Sequence, residues 1–224
     1  MIRGKLIIIE AGDGSGKATQ TNKLYTHLQE EHKNVYKVSY PDYESESSAL
    51  VKMYLRGAFG KSANSVNAYA ASTFFAVDRY ASYRLKWEKN YKEGGIILAD
   101  RYTTSNMVHQ AVKIKEKQAR DVFLDWLWDL EFVKMGMPKP DLVIFLDMPP
   151  EISDKLLADR GTSSGENDIH ELDRNYLHHC HDVYKKMADK YDWKTIPCSE
   201  NSRIRSIDDI HSDIYDLVTE LLNK

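Results

Sequence analysis

The sequence is poor in cysteine, with only Cys180 and Cys198 in 224 residues. Two thiols are too few for a disulfide framework and fit a reducing compartment. Long hydrophobic runs are missing as well. The apolar stretch Leu6 to Ile9 is strand-sized and carries no signal-peptide pattern, and nothing approaches membrane-spanning length. Neither sign of charge dominates: the net charge is -3 and the pI about 6.2. No global basic field therefore draws nucleic acid or an anionic membrane, and any anion must be met by a local cluster. Internal repeats, low-complexity tracts and linker-like composition are also lacking. Together these absences describe a soluble, cytoplasmic, globular protein, long enough to bury a sizeable core, with no nucleic-acid or membrane partner.

What is present is an alternation of buried strands and amphipathic helices. Leu6–Ile9, Val35–Ser39, Ile96–Ala99, Leu142–Leu146 and Thr195–Pro197 are short apolar runs, as parallel strands buried on both faces require. Helices are expected over Lys17–Glu31, a short segment marked by Leu50, Met53 and Tyr54, and a long stretch from Val66 to Tyr91. Further helices are expected across much of 104–134, at Pro150–Asp159, from Asp168 to Tyr191, and from Ser206 to Leu222, where Ser206 is placed as N-cap. Gly161-Thr-Ser-Ser-Gly165 reads as flexible loop. Five such strands separated by helices imply an α/β fold, a five-stranded doubly wound parallel sheet. Its ligands bind beyond the C-terminal strand ends.

At the end of the first strand stands Glu10-Ala-Gly-Asp-Gly-Ser-Gly-Lys17. Glycines let backbone N–H groups turn inward, the following helix N-terminus adds positive potential, and Lys17 can reach outer phosphates. The strict phosphate-loop pattern wants glycine at 11 and Ser or Thr at 18, where this chain has Ala11 and Ala18. Taken alone, the stretch could be an ordinary strand-to-helix turn. Four further features bear on it. Asp100-Arg101 follows the third strand at the ligand end, Arg79 shares a helical face with Phe75, Arg160 enters the glycine-flanked loop, and Pro41 stops the second strand. An aromatic and a guanidinium on one face can stack a base and hold a phosphate. A charged loop can close over substrates.

In order and spacing these segments resemble the thymidylate kinases, P-loop nucleoside monophosphate kinases. The resemblance rests on Glu10 to Lys17 including Asp13, Tyr40-Pro41, Tyr54-Leu55, Phe75 to Arg79, Asp100 to Ser105, Pro140-Asp141-Leu142 and Asp168 to Glu171. It covers nearly the whole chain. The implied architecture is one P-loop NTPase-like kinase domain over residues 1–224 with a mobile lid at about 160–168. The implied activity is ATP-dependent phosphoryl transfer to dTMP with Mg²⁺, by a homodimer.

By the same resemblance ATP phosphates would lie on Gly12, Asp13, Gly14, Ser15, Gly16, Lys17, Ala18 and Thr19. The dTMP site would comprise Asp13, Pro41, Leu55, Phe75, Arg79, Arg101, Ser105, Asn106 and His109, with Gln110 on the same wall. Lys17, Asp13, Arg101 and the lid's Arg160 would be catalytic, and Asp100 would help hold the metal, directly or through water. An adenine pocket would lie near Cys198 to Arg203.

Three departures matter. Ala18 removes the hydroxyl that ordinarily ligates Mg²⁺, and Thr19 is rotated about 100° round the helix. Tyr43 stands where relatives carry a phosphate-binding arginine, and His109 where they carry Tyr or Phe near the sugar. A kinase for another nucleoside monophosphate or nucleoside, and a nucleotide-binding module that has lost catalysis, therefore remain alternatives. His178, His181 and Asp182 share a helical face that is either polar surface or a zinc site lacking a flanking ligand pair. Trp126, Trp128 and Phe132 read as core or subunit contact.

Overall fold

The computed structural model describes residues 3–32, 34–159 and 174–223. Arg160, the 160–168 lid and the Asp168 to Glu171 segment lie outside them. A five-stranded parallel sheet has the order β2-β3-β1-β4-β5, formed by β1 (Lys5–Ala11), β2 (Val35–Ser39), β3 (Ile96–Asp100), β4 (Leu142–Asp147) and β5 (Lys194–Pro197). The apolar run in β1 has no polar alternation because both its faces are covered. Leu6 and Ile8 join the core on one side of the sheet, Ile7 and Ile9 the core on the other, all fully buried.

The Ile7–Ile9 side is closed by α1 (Lys17–Glu31) and α9 (Ile207–Leu222), through Leu24, Leu28, Ile210, Ile214 and Val218. Each such side chain contributes about 1.5–3 kcal/mol by leaving water. Ser206 caps α9 as expected, its side chain accepting from the Asp209 N–H. On the Leu6–Ile8 side lie α3 (Ala68–Ser82), α5 (Thr103–His109), α6 (Lys117–Trp128) and α8 (Arg174–Tyr191). The long stretch ending near Tyr91 is helical, but it passes through a π-helical turn at Tyr83–Trp87 before α4 (Glu88–Lys92). A second π-helical turn, Asp129–Lys134, continues α6. α7 (Pro150–Asp159) follows β4.

Two local features go beyond what the sequence pattern discloses. α2 (Ala49–Leu55) buries Val51, Tyr54 and Leu55, whereas Leu50 and Met53 are both 44% exposed. The buried stripe of this seven-residue helix is set by its packing on Ala71, Phe74 and Phe75 of α3, which the apolar spacing alone does not disclose. A small antiparallel hairpin, β6 (Ser199–Glu200) with β7 (Arg203–Ile204), follows β5, turned by Asn201 and Ser202 at φ 49° and 60°. It overlaps the segment Cys198 to Arg203 to which the resemblance assigns the adenine pocket.

Candidate active site

The loops after β1, β2 and β3 leave the parallel sheet at the same end. β1 runs into Gly12–Gly16, and Gly14 and Gly16 both take φ 75°, a left-handed backbone open to glycine. Gly14 has a second constraint, since a Cβ there would lie 2.8 Å from the Ser153 carbonyl oxygen and from Leu157 Cγ of α7. The loop is thus seated under α7 and opens directly into α1. Lys17 returns over the loop to pair with Asp100 at the end of β3. Burial, and then the adjacent Arg101 charge, lowers the Lys17 pKa.

One residue on, Arg101 has left the strand and adopts φ 68°. Its Nη2 donates to Asp13 Oδ1 at 2.5 Å. Its Nη1 faces three acceptors: Tyr184 Oη at 3.2 Å, Ser105 Oγ at 3.3 Å and His109 Nε2 at 3.3 Å. Behind them sits Glu10, fully buried, which accepts from Thr104 Oγ1 at 2.6 Å, Ser105 Oγ at 2.8 Å and Tyr184 Oη at 3.0 Å. The hydroxyls that support Arg101 therefore give their own protons to Glu10.

Arg79, on the same helical face as Phe75, is not a solvated cation. It is 1% exposed and makes a two-pronged ion pair with Glu131, Nε to Oε2 at 2.8 Å and Nη2 to Oε1 at 2.5 Å. Thr103 Oγ1 donates to the same carboxylate at 2.6 Å.

These groups share one cavity of about 280 Å³. Asp13, Lys17, Asp100 and Arg101 stand on the loop side, Phe75, Arg79, Ser105, Asn106 and His109 on the helical side, and Pro41 and Leu55 at its walls. Tyr54 holds the Phe75 ring edge-on, at 6.2 Å and 90°. Tyr43, half exposed, lines the cavity too. So does Gln110, fully buried, and neither atom of its carboxamide has a hydrogen-bond partner among the described residues.

A family model for thymidylate kinase matches residues 9–214. The chain belongs to the thymidylate kinase family. Among its relatives is a probable thymidylate kinase of Pyrococcus horikoshii, 30% identical, with 97% of each chain covered. The thymidylate kinase of Schizosaccharomyces pombe is 29% identical over 98% of this chain and 93% of its own. A solved thymidylate kinase structure from Candida albicans shares the fold at a TM-score of 0.69 and 20% identity, covering 99% of this chain and 93% of that one. As a member of this kinase family the protein is a phosphotransferase with a P-loop NTPase-like fold.

Within that family frame, the structure joins most residues singled out by sequence and separates a few. Ala18 and Thr19 are exposed on the first turn of α1 and do not line the cavity, so neither offers a hydroxyl there. His178 pairs with Asp154 at 3.2 Å and His181 with Asp147 at 2.7 Å, two separate contacts in place of a ligand cluster. No group of three metal-ligating side chains occurs among the described residues. The His181 hydrogen bond, foremost, lowers the Asp147 pKa.

Glu131 and Tyr184 were not singled out by sequence, and neither carries a local signal. Glu10 did carry one, as a lone carboxylate ending an otherwise apolar strand. Among the described residues no helix is long and apolar enough to cross a membrane.

Proposed function

We propose that this protein transfers the γ-phosphoryl group of ATP to dTMP, giving ADP and dTDP. The observation that carries the reading is the Asp13–Arg101 contact inside one cavity. It brings the phosphate loop against an arginine whose other nitrogen rests on neutral groups, with an aromatic ring and an open carboxamide at the far wall.

ATP phosphates would take the N–H groups from Gly12 to Thr19, including those of Gly14, Ser15, Gly16 and Ala18, with Lys17 on the outer phosphates. Arg101 would hold the acceptor phosphate and Asp13 would orient both Arg101 and the sugar hydroxyl. Phe75 would stack the thymine between the walls made by Pro41 and Leu55. Gln110 and Asn106 present amides to the base edge. Arg79, locked by Glu131, would serve as a fixed post beside the base. Ser105 and His109 would act through Arg101.

A phosphate monoester is already a nucleophile, so alignment and positive charge are the protein's main contributions. Mg²⁺ would spread the charge of the transferring group. The Asp100 carboxylate lines the cavity beside Lys17 and suits an ion otherwise coordinated by ATP oxygens and water, with no ligand from Ala18. Arg160, by family resemblance, would add charge from the lid.

Tyr43 and His109 favour a second reading, a kinase for another nucleotide, because they replace the arginine and aromatic residue that the family pattern leads one to expect. ADP release from Mg-ATP with dTMP, dUMP, dCMP, dGMP, UMP and thymidine in turn decides between them. Turnover with dTMP well above the rest supports the first, and preference for another acceptor supports the second. ATP binding without turnover would indicate a nucleotide-binding module.

A cytoplasmic homodimer completes the reading. Val77 and Tyr80 of α3 are 50% and 39% exposed, Leu85 in the π-helical turn that follows is 80% exposed and Val122 of α6 is 57% exposed, apolar side chains that a second copy would cover. Sedimentation at micromolar concentration gives its mass directly, and a monomer there would remove the dimer.

A further inference from the structure

His109 is the one acceptor around Arg101 that can change its charge near neutral pH. It is 9% exposed, on the last turn of α5. Its Nε2 faces Arg101 Nη1 at 3.3 Å, and an arginine nitrogen can only donate. Where Nη1 donates to the ring, Nε2 presents a lone pair; the opposite tautomer would turn Nε2–H to Tyr184 Oη, 3.3 Å away. In the first arrangement the proton belongs on Nδ1, which faces Cys180 Sγ at 3.5 Å. Burial pushes the Cys180 thiol up to about 12, so the sulfur is a neutral acceptor there.

Other described groups lie close to this residue. Tyr176 Oη of α8 donates to the His109 carbonyl at 2.7 Å. Tyr184 Oη lies 3.3 Å from Nε2, with its proton directed to Glu10 of β1. Asp13 from the loop and Ser105 from the first turn of α5 approach through Arg101. A small second cavity, which His109, Cys180 and Asp13 also line, carries Asp154 and His178, paired with each other, and His181, paired with Asp147. Lys113, past the end of α5, points away to Tyr54 Oη at 2.8 Å.

We propose that His109 is a positioning residue that works only as the neutral Nδ1–H imidazole: Nε2 accepts from Arg101 and steadies its guanidinium, so protonation of this ring makes Arg101 binding of the acceptor phosphate fail in acid. A protonated ring has no lone pair for Nη1 and sets a second cation 3.3 Å from the first. Phenylalanine at this place could do neither. The inference rests on Arg101 being the ligand of the acceptor phosphate.

The test uses the full chain with Mg-ATP and dTMP. At pH 8, His109→Phe should raise KM for dTMP about fivefold with kcat little changed, as expected for one lost neutral hydrogen bond. His109→Gln, which restores an acceptor that does not titrate, should recover at least half of that loss. Between pH 8 and pH 5.5, kcat/KM should fall more steeply for the parent than for His109→Gln. What remains in the variant is the ionisation of the nucleotide phosphate, with a second pKa of about 6, which both enzymes share. Long-range ¹⁵N spectra of the parent at pH 8 should show His109 protonated on Nδ1 alone.

Parallel pH profiles for the parent and His109→Gln would overturn the proposal, as would a proton on Nε2. Were the parent to show the expected tautomer but no turnover with dTMP, the assignment of the acceptor would fail instead. The tautomer would then stand as a structural fact about Arg101.

Discussion

Two arginines line the same cavity and are held in opposite ways. Arg79 is met by a carboxylate on both prongs and is 1% exposed, so its charge is fully spent on Glu131. Arg101 has one carboxylate, Asp13, on one nitrogen, and neutral oxygens and an imidazole on the other. On the proposed reading the difference separates a post from a ligand. Arg79 gives two nitrogens to one carboxylate, whereas Arg101 gives only Nη2 to a carboxylate and keeps Nη1 on neutral groups, with Glu10 and Asp100 adding to the negative field around it.

The sharpest way to break the comparison is at Glu131. Glu131→Gln leaves a buried guanidinium without its counter-charge, and thermal unfolding should show a loss of about 3–5 kcal/mol. Arg101→Ala should do the reverse. Its kcat/KM for dTMP should fall by roughly 10²–10³, the effect of losing one charged contact to a transferring group, while Tm moves far less than in Glu131→Gln. Equal losses of stability in the two variants would erase the distinction.

Gln110→Leu sharpens it from the side of the base. Because the amide has no partner within the described residues, KM should rise about tenfold with no fall in Tm. A marked fall in Tm would show the amide to be structural. Gly14→Ala comes next, costing about 1–2 kcal/mol by chemical denaturation, since the new methyl meets Ser153 and Leu157 and φ is positive.

The smallest effect concerns Lys113, whose pKa burial pushes down to about 8 from 10.5. The unfolded chain binds this proton more tightly than the folded one, so stability should rise as pH increases from 8 to 10.5. After discounting for its partial exposure the gain is about 1 kcal/mol. Lys113→Met should abolish that rise, and a parallel pH dependence of Tm in both proteins would exclude Lys113 as its source.

The sheet and the loop are legible in the sequence because their signals are local. β2 and α1 lie where their apolar runs and glycines set them, and Asp100-Arg101 is visible as a polar pair ending a buried strand. The support of the site is not local. Glu131 is 52 positions from Arg79 and sits among Asp129 and Lys134, so nothing nearby marks it as buried. Tyr184 reaches Glu10 across 174 positions on a helix otherwise rich in charge. The ion pair of Arg79 is hidden for the same reason, since a helical face reveals which residues are neighbours along one element but not what packs on it from another. Gln110 stands between these cases, being visible beside His109 but telling only when its amide proves unpaired.

The Asp13–Arg101 hydrogen bond, finally, makes the phosphate loop and the end of β3 a single electrical object. A carboxylate shared in this way senses charge from either side. An anion settling on the loop loosens or tightens the grip on the arginine, and an anion settling on the arginine does the same to the loop. On the proposed reading, thermodynamic linkage would make the two effects equal, so the affinity for each phosphate group would depend on whether the other is bound.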